Sequence, residues 1–317
     1  MVVYATRRIL ISVVVIYLIA TFAFLLIRLL PGDPVLLLLG ESGATASQET
    51  INALRARLGL DQPLLEQYMR WLCKLAVGDL GESLFGYGRL TTLLIKRLAN
   101  SLELIGFALL LACLLGIPSG LFAAYHQGTF IDLATSLIAT LGIATPVYVL
   151  AIILILIMAL SLKLLPAGGH TPWHVNALEH IRFLVLPVLT LALNQWALIS
   201  RMTRSSVLDV LQEGYVQTAR AKGLREIRLV FVHVLRNALI PVVTLIGLQF
   251  SRLFGATVLV EAIFNWPGMS SLLLEGAVRR DYPLIQGLIV ILGGIVCITN
   301  LLVDLLYGVL DPRVRYE

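Results

Sequence analysis

Few residues of this 317-residue chain are of a type that could do chemistry inside an apolar environment, and they fall into three groups. Arg252, Gln249, Asn194 and Gln195 are polar side chains set within long apolar runs. His170, His174 and His180 lie close together in one connection, the first two at i, i+4. Residues 201–236, RMTRSSVLDVLQEGYVQTARAKGLREIRLVFVHVLR, gather seven of the 24 basic residues into a cationic island between two apolar walls. Arg252 and Gln249 are three residues apart on one helical face, and with Asn194 and Gln195 they could line a wet path that holds carbonyls or a carboxylate. An interhelical hydrogen bond or ion pair, Arg252 with Glu261 or Asp304, is the other reading. Two imidazoles four apart can share a metal only on a regular helix. Gly168-Gly169 and Pro172 argue against one, so no metal site is expected. The island suits contact with something outside the membrane, either lipid headgroups or another protein.

Other chemistries lack their residues. No glycine is followed by lysine, so there is no G-x-x-x-x-G-K-[ST] loop to cradle ATP. HExxH, GxSxG and a paired membrane aspartate are also missing. The deep ionisable residues are Arg252, Asp304, Glu103 and Glu261, too few for a proton relay. Cys73, Cys113 and Cys297 form no CxxC and read as structural. The chain is therefore expected to be no enzyme and to bind no cofactor of its own. Its net charge of +5 comes with no aromatic-interleaved basic face, so no nucleic-acid partner is expected.

The elements that must position these residues follow from hydropathy. With 58% hydrophobic and 14% charged residues and a mean hydropathy of +0.90, the chain is an all-α protein that crosses a membrane several times. Six apolar segments are long enough: 9–30, 102–125, 130–162, 183–202, 238–264 and 284–310. The third is too long for one span and too short for two, and with Pro146 in its middle it reads as one long kinked helix, with a re-entrant pair as the second option. The first ends without a small-x-small cleavage site and reads as a retained span.

Basic residues in the short loops set the orientation. With the N-terminus inside, Arg7, Arg8, the seven of the island, Arg313 and Arg315 are cytoplasmic, and the short outer loops hold Lys163, Arg182, Arg279 and Arg280. The long segment after the first span carries seven more, but long loops translocate with little regard to charge. Both termini are then expected in the cytoplasm. Residues 1–100 are expected to hold the first span and an outer cap, and 101–317 a five-helix core with a cytoplasmic loop at about 203–237. In the cap, Leu58-Gly59-Leu60-Asp61-Gln62-Pro63 reads as a helix end and turn, followed by helical spacing of Leu65, Tyr68, Met69, Leu72 and Leu75. Trp266 and Tyr282 read as anchors at the membrane–water interface.

Within the island, residues 215–222 have helical composition, and Gly223 can end that helix in a left-handed cap. Ala219, Ala221 and Gly223 would let a partner's backbone approach, bordered by Arg220, Lys222 and Arg225. Gln217-Thr218-Ala219-Arg220-Ala221-Lys222-Gly223, followed by His233-Val234-Leu235-Arg236-Asn237-Ala238-Leu239-Ile240-Pro241, resembles the cytoplasmic loop of ABC importer permeases of the dipeptide, oligopeptide and nickel branch. The general signature there is Glu-Ala-Ala, three residues, then Gly. Ala219 and Gly223 keep it, Gln217 and Thr218 depart from it, and Leu235-Arg236 stands where a Leu-Pro is usual. Leu30-Pro31-Gly32-Asp33-Pro34, the 264–268 and 281–283 turns and Asp311-Pro312-Arg313 resemble the same branch in the same order.

The resemblance implies a type I permease fold in a bacterial inner membrane, with Thr218, Ala219, Arg220, Ala221, Lys222 and Gly223 on a coupling helix that docks into a cytoplasmic ATPase. It implies as partners a second permease, two ATP-binding subunits that carry ATP and magnesium, a periplasmic binding protein and membrane lipid. Di- or oligopeptides are the expected cargo, with glutathione, nickel complexes and some sugars open. The rival from another class, a self-sufficient secondary transporter, calls for inverted repeats or a midplane ion site, and neither is evident.

Overall fold

The computed structural model describes residues 2–29, 35, 47–58 and 60–310. The motifs at 30–34, Gly59 and 311–313, with Arg315, lie outside them. The described chain is helical, and its one extended pairing is an isolated bridge between Glu82 and Arg89. In order, the helices are α1 (Val2–Leu29), α2 (Gln48–Leu58), α3 (Leu64–Ala76), α4 (Leu90–Tyr125), α5 (Phe130–Ala144), α6 (Val147–Leu154, continued by a π-helical stretch Ile155–Ser161), α7 (Ala177–Leu211), α8 (Gly214–Ala221), α9 (Leu235–Ile263), α10 (Met269–Arg279) and α11 (Tyr282–Leu310). A short turn Glu226–Arg228 and a π-helical Leu229–Val234 lead into α9, so that helical backbone runs unbroken over Glu226–Ile263.

Five of these are long and apolar enough to cross a membrane: Tyr4–Leu26, Leu90–Tyr125, Ala177–Leu211, Glu226–Ile263 and Tyr282–Leu305. The 130–162 segment departs from expectation. It is not one kinked helix but two arms, Phe130–Ala144 and Val147–Ser161, bent by 103°. Thr145 and Pro146 both leave the helical region, with ψ of 121° and 137°. The proline removes a donor and also disfavours helical backbone in the residue before it, so two residues open where a kink would spare them. Each arm spans about 22 Å at 1.5 Å per residue, less than the ~30 Å hydrocarbon layer. The described chain thus has five spans, or six when the broken pair counts as one.

The chain forms two compact units, Asn100–Ser270 with the chain from Thr299 onward, and Val2–Ala99 with Ser271–Ile298. In the first, α7 is central, with 61% of its most apolar stretch buried against 22% for Glu226–Ile263. Asn176 starts α7, its side chain accepting hydrogen bonds from Leu178 N and Glu179 N. Helix α4 lies against α7 at Gly116 and Gly120: a Cβ on Gly116 would sit 2.9 Å from Ile199 Cγ2, and one on Gly120 2.4 Å from Ser200 O. This G-x-x-x-G approach replaces side chains with backbone proximity, the usual way apolar helices associate where lipid offers no hydrophobic drive. Ser119 Oγ donates to Ser200 Oγ (3.0 Å), and Trp196 Nε1 donates to Ser119 Oγ (3.0 Å), which fixes the register.

In the second unit, Ala20 and Ala23 of α1 pack with Trp71 and Leu75 of α3 and with Ile289 and Val290 of α11. Asp281, fully buried, accepts from Ser83 Oγ and Leu84 N and caps α11 through Leu284 N. The Tyr87 hydroxyl donates to the Glu275 carboxylate, which holds the phenol pKa above its ordinary value.

Candidate functional site

The island folds into a short helix carried on an apolar base. Val216 of α8 is fully buried with Ala124 of α4, Val207 of α7 and Leu229, Val234 and Ala238 at the start of α9, and Ala219 and Leu211 pack against this cluster. One face of α8 is therefore anchored to the ends of three long helices. Polar contacts tie it further: Asn237 Nδ2 donates to Tyr215 Oη (2.7 Å), and Arg220 Nε donates to Glu226 Oε1 (2.8 Å). The carboxylate holds the Arg220 pKa above its usual value, chiefly through that hydrogen bond.

The helix stops where its sequence says it must. Gly223 has φ +78°, its N–H donates to Arg220 O (3.0 Å), and Leu224 N–H donates to Ala219 O (3.3 Å). These two bonds are the paired closure of a Schellman cap, which needs a residue that accepts positive φ. No atom lies within 4 Å of a Cβ built on Gly223, so its outer side is open.

Gln217, Thr218, Arg220, Ala221, Lys222 and Gly223 are exposed. Ala219 is half-buried against the chain's own cluster and faces inward rather than forming the crest. Below the island, Arg204 of α7 holds Asp132 of α5 through two bonds, Nε to Oδ1 (2.5 Å) and Nη2 to Oδ2 (2.8 Å), while Gly128 N donates to Oδ2 (3.0 Å).

The four mid-span polar residues do not share one environment. Asn194 Nδ2 donates to Gly142 O (3.2 Å), one of the carbonyls left without a partner at the end of α5. Gln195 and Gln249 are buried, and Gln195 Oε1 has no hydrogen-bond partner among the described residues. Arg252 is exposed on α9 and makes no hydrogen bond or ion pair among the described residues. An ion pair of Arg252 with Glu261 or Asp304, the other reading, is not formed among the described residues; Glu261 is fully buried and accepts from Ser101 Oγ (2.7 Å).

The far end of the same unit carries contacts the sequence did not signal. Ser101 Oγ also accepts from Met269 N (2.8 Å), and Gly268 lies so close to Glu261 that a Cβ there would be 2.2 Å from the carboxyl carbon. Trp266, expected as an exposed anchor, is buried inside the protein, and its Nε1 donates to Asn100 O (3.1 Å). Tyr282, in the other unit, is likewise buried. His180 stacks on Trp173, its Nδ1–H donates to Thr171 O (2.6 Å), and its Nε2 is 3.0 Å from Glu103 Oε1. His170 packs edge-on against Trp266. Among the described residues no three His, Cys, Asp or Glu side chains are grouped to hold a metal. Asn100-Ser101 ahead of an apolar run, with Gly268 far downstream, offers no local pattern from which this cluster could be read.

Residues 116–316 match the family described as "Binding-protein-dependent transport system inner membrane component", and residues 1–87 match "Binding-prot-dependent transport system membrane comp, N-term". The chain is similar, at 37% identity over 314 residues and 99% of each sequence, to the "Probable peptide ABC transporter permease protein" of Sinorhizobium fredii (strain NBRC 101917 / NGR234). It is similar, at 37% identity over 94% of this chain and 93% of the other, to the "Dipeptide transport system permease protein" of Escherichia coli (strain K12).

Proposed function

The chain belongs to the binding-protein-dependent transport system inner membrane component family, and from that premise we propose that it is the permease subunit of an ATP-driven importer of peptides. Its relatives named for peptide and dipeptide transport support the cargo class. In this reading the permease works beside a second permease, two cytoplasmic ATP-binding subunits that carry ATP and magnesium, and a binding protein on the outer face. Both termini are cytoplasmic, residues 1–100 supply the first span and an outer cap, and 101–317 supply the core with the coupling loop at about 203–237.

The observation that carries the reading is α8 itself. One face is welded to the ends of α4, α7 and α9 by Val216 and its cluster, and the opposite face is polar, small and open. A helix built this way transmits force. A push on its outer face by a closing ATPase moves three long helices together, because close-packed apolar contacts shift as a body rather than deform. Thr218, Arg220, Ala221, Lys222 and Gly223 form the docking face, and Ala219 sets the inner side against which they are held. The chain performs no hydrolysis and binds no cofactor; the nucleotide energy enters at this face.

Arg252 supplies the second element. A guanidinium within a span cannot face lipid cheaply, and this one is exposed on the isolated chain. It therefore faces water or the second permease along the path, where it would attract the carboxylate or carbonyls of a peptide.

The test is reconstitution of the chain alone, and then with its second permease, ATP-binding subunits and binding protein, with ATP enclosed and uptake measured for peptides, glutathione and nickel complexes in parallel. Uptake of peptides only in the complete assembly is expected, with Arg252→Gln lowering it at unchanged expression. Uptake by the chain alone on an ion gradient would end the ABC reading, and uptake of glutathione or nickel without peptides would replace the cargo.

A further inference from the structure

Helix α3 is amphipathic on three stripes, and only two have an occupant. Tyr68, Trp71 and Leu75 pack on α1: Thr21 Oγ1 and Tyr68 Oη are hydrogen-bonded at 2.7 Å, Tyr68 Oη donates to Tyr17 Oη (3.1 Å), and Phe24 meets Tyr68 edge-on and Trp71 tilted. Glu66, Arg70 and Lys74, spaced i, i+4, i+8, are exposed to water on another side, with Arg70 paired to Glu66 at 3.3 Å. Between them runs a third stripe, Leu65, Met69 and Ala76, that is exposed among the described residues. Leu65 is 73% and Met69 53% exposed. A partly solvated surface helix would not keep leucine and methionine outward beside its own packed face without a further apolar neighbour.

Three features of the structure say what that neighbour is. First, the stretch of α1 that holds α3 has a bare apolar flank of its own, with Leu18 (56%), Phe22 (60%) and Leu25 (49%) exposed. Second, α3 lies against the last part of α1. Its contacts there run from Phe24, about 8 Å along the axis from the helix end at Leu29, through Thr21 at about 12 Å, to Tyr17 at about 18 Å. The outer end of that range meets the ~5–10 Å depth at which amphipathic helices lie in the boundary between headgroups and acyl chains. Third, the polar stripe carries Arg70 and Lys74, which suit phosphate headgroups, and Tyr68 and Trp71 are the side chains that favour this depth.

We propose that α3 is an in-plane membrane helix, laid in the bilayer interface where α1 leaves the lipid, with Leu65 and Met69 against acyl chains and Arg70 and Lys74 at the headgroups. This fixes the cap segment to the lipid surface as well as to α1. It rests only on the chain spanning a membrane, so it stands or falls separately from the cargo and from the docking of α8.

The test uses the assembled transporter in phosphatidylethanolamine–phosphatidylglycerol nanodiscs, in a background with Cys73, Cys113 and Cys297 replaced. Single cysteines at Leu65→Cys, Met69→Cys, Glu66→Cys and Arg70→Cys carry a bimane label. Brominated acyl chains should quench the first two labels at least about twofold more than aqueous iodide does, with the order reversed for the last two. For an assembly disturbed by cysteine replacement, the unsubstituted complex can be labelled by an apolar carbene reagent dissolved in the bilayer, which should modify Leu65 and Met69 within residues 64–77. Quenching of positions 65 and 69 by iodide alone would place the stripe in water. Protection from both quenchers, with no carbene label, would place a protein partner on it. Either result overturns the proposal.

Discussion

The two ends of the unit centred on α7 handle charge in opposite ways. Around α8 at the island end the apolar groups are inside and the charges outside, apart from the Arg204–Asp132 pair: Val216, Leu229 and Val234 are buried while Arg220, Lys222 and Glu226 are exposed. At the other end a carboxylate and large rings are inside, with Glu261, His180 and Trp266 all buried and tied to Ser101, Thr171 and Asn100. Surface ion pairs such as Arg220–Glu226 contribute little to stability, whereas a buried carboxylate is costly to leave unpaired. One end is therefore built to be touched and moved, and the other to hold its shape.

That contrast makes its strongest prediction at the two glycines that differ most in surroundings. At Gly223 the demand on this chain is for positive φ alone, because no atom stands near its Cβ position. Gly223→Val forces a branched side chain into a left-handed conformation at a cost of roughly 1–2 kcal/mol, and is expected to abolish uptake while membrane insertion survives. Gly223→Asn keeps the cap, since asparagine accepts that conformation, and adds only outward bulk. Uptake falling about tenfold or more in both variants marks the outer face as an occupied surface. Loss in the valine variant alone would reduce Gly223 to a helix cap.

Gly268→Ala probes the rigid end. A methyl there meets the Glu261 carboxylate, which is buried and held by Ser101, so the variant should lose roughly 2–4 kcal/mol. Gly214→Ala at the island end has no atom within 4 Å and should leave thermal unfolding unchanged. Equal unfolding temperatures for the two alanine variants would erase the distinction between the ends. The smallest effect is expected for Arg220→Ala, whose partner Glu226 is also exposed. Its stability cost should be about 0–0.5 kcal/mol, and a larger loss in thermal unfolding would mean that the pair braces α8.

Much of the island was legible because its signals are local. Helical composition over 215–222 and a glycine at 223 specify a capped helix without reference to the rest of the chain, and the structure has it within a residue at each end. The apolar runs were legible for the same reason, and length and hydropathy fix them. What escaped depends on neighbours. That Ala219 turns inward follows from Val216 and its cluster, not from residue size. Pro146 reads as a kink until Thr145 is seen to open with it. Gly116 and Gly120 lie four apart in an apolar helix, a pattern visible in the sequence, yet only their approach to Ile199 and Ser200 gives it meaning. That Asn194 also donates to Gly142 O at the end of α5 depends on a helix 52 residues away and has no local signal. Trp266 has the residue type of an interface anchor and is buried, because Asn100 and His170 are brought to it from far along the chain.

The account's central claim is that the outward face of α8 is where another subunit pushes. Single cysteines at Gln217 and Ala221, exposed, and at Val216, buried, can be placed in the complete transporter lacking Cys73, Cys113 and Cys297 and treated with a short bifunctional thiol reagent. The account predicts cross-links from Gln217→Cys and Ala221→Cys to an ATP-binding subunit, with a yield that changes on adding nucleotide, and none from Val216→Cys. Free labelling of the 217 and 221 cysteines by a soluble maleimide in the complete transporter, with no cross-link to an ATP-binding subunit, would contradict it.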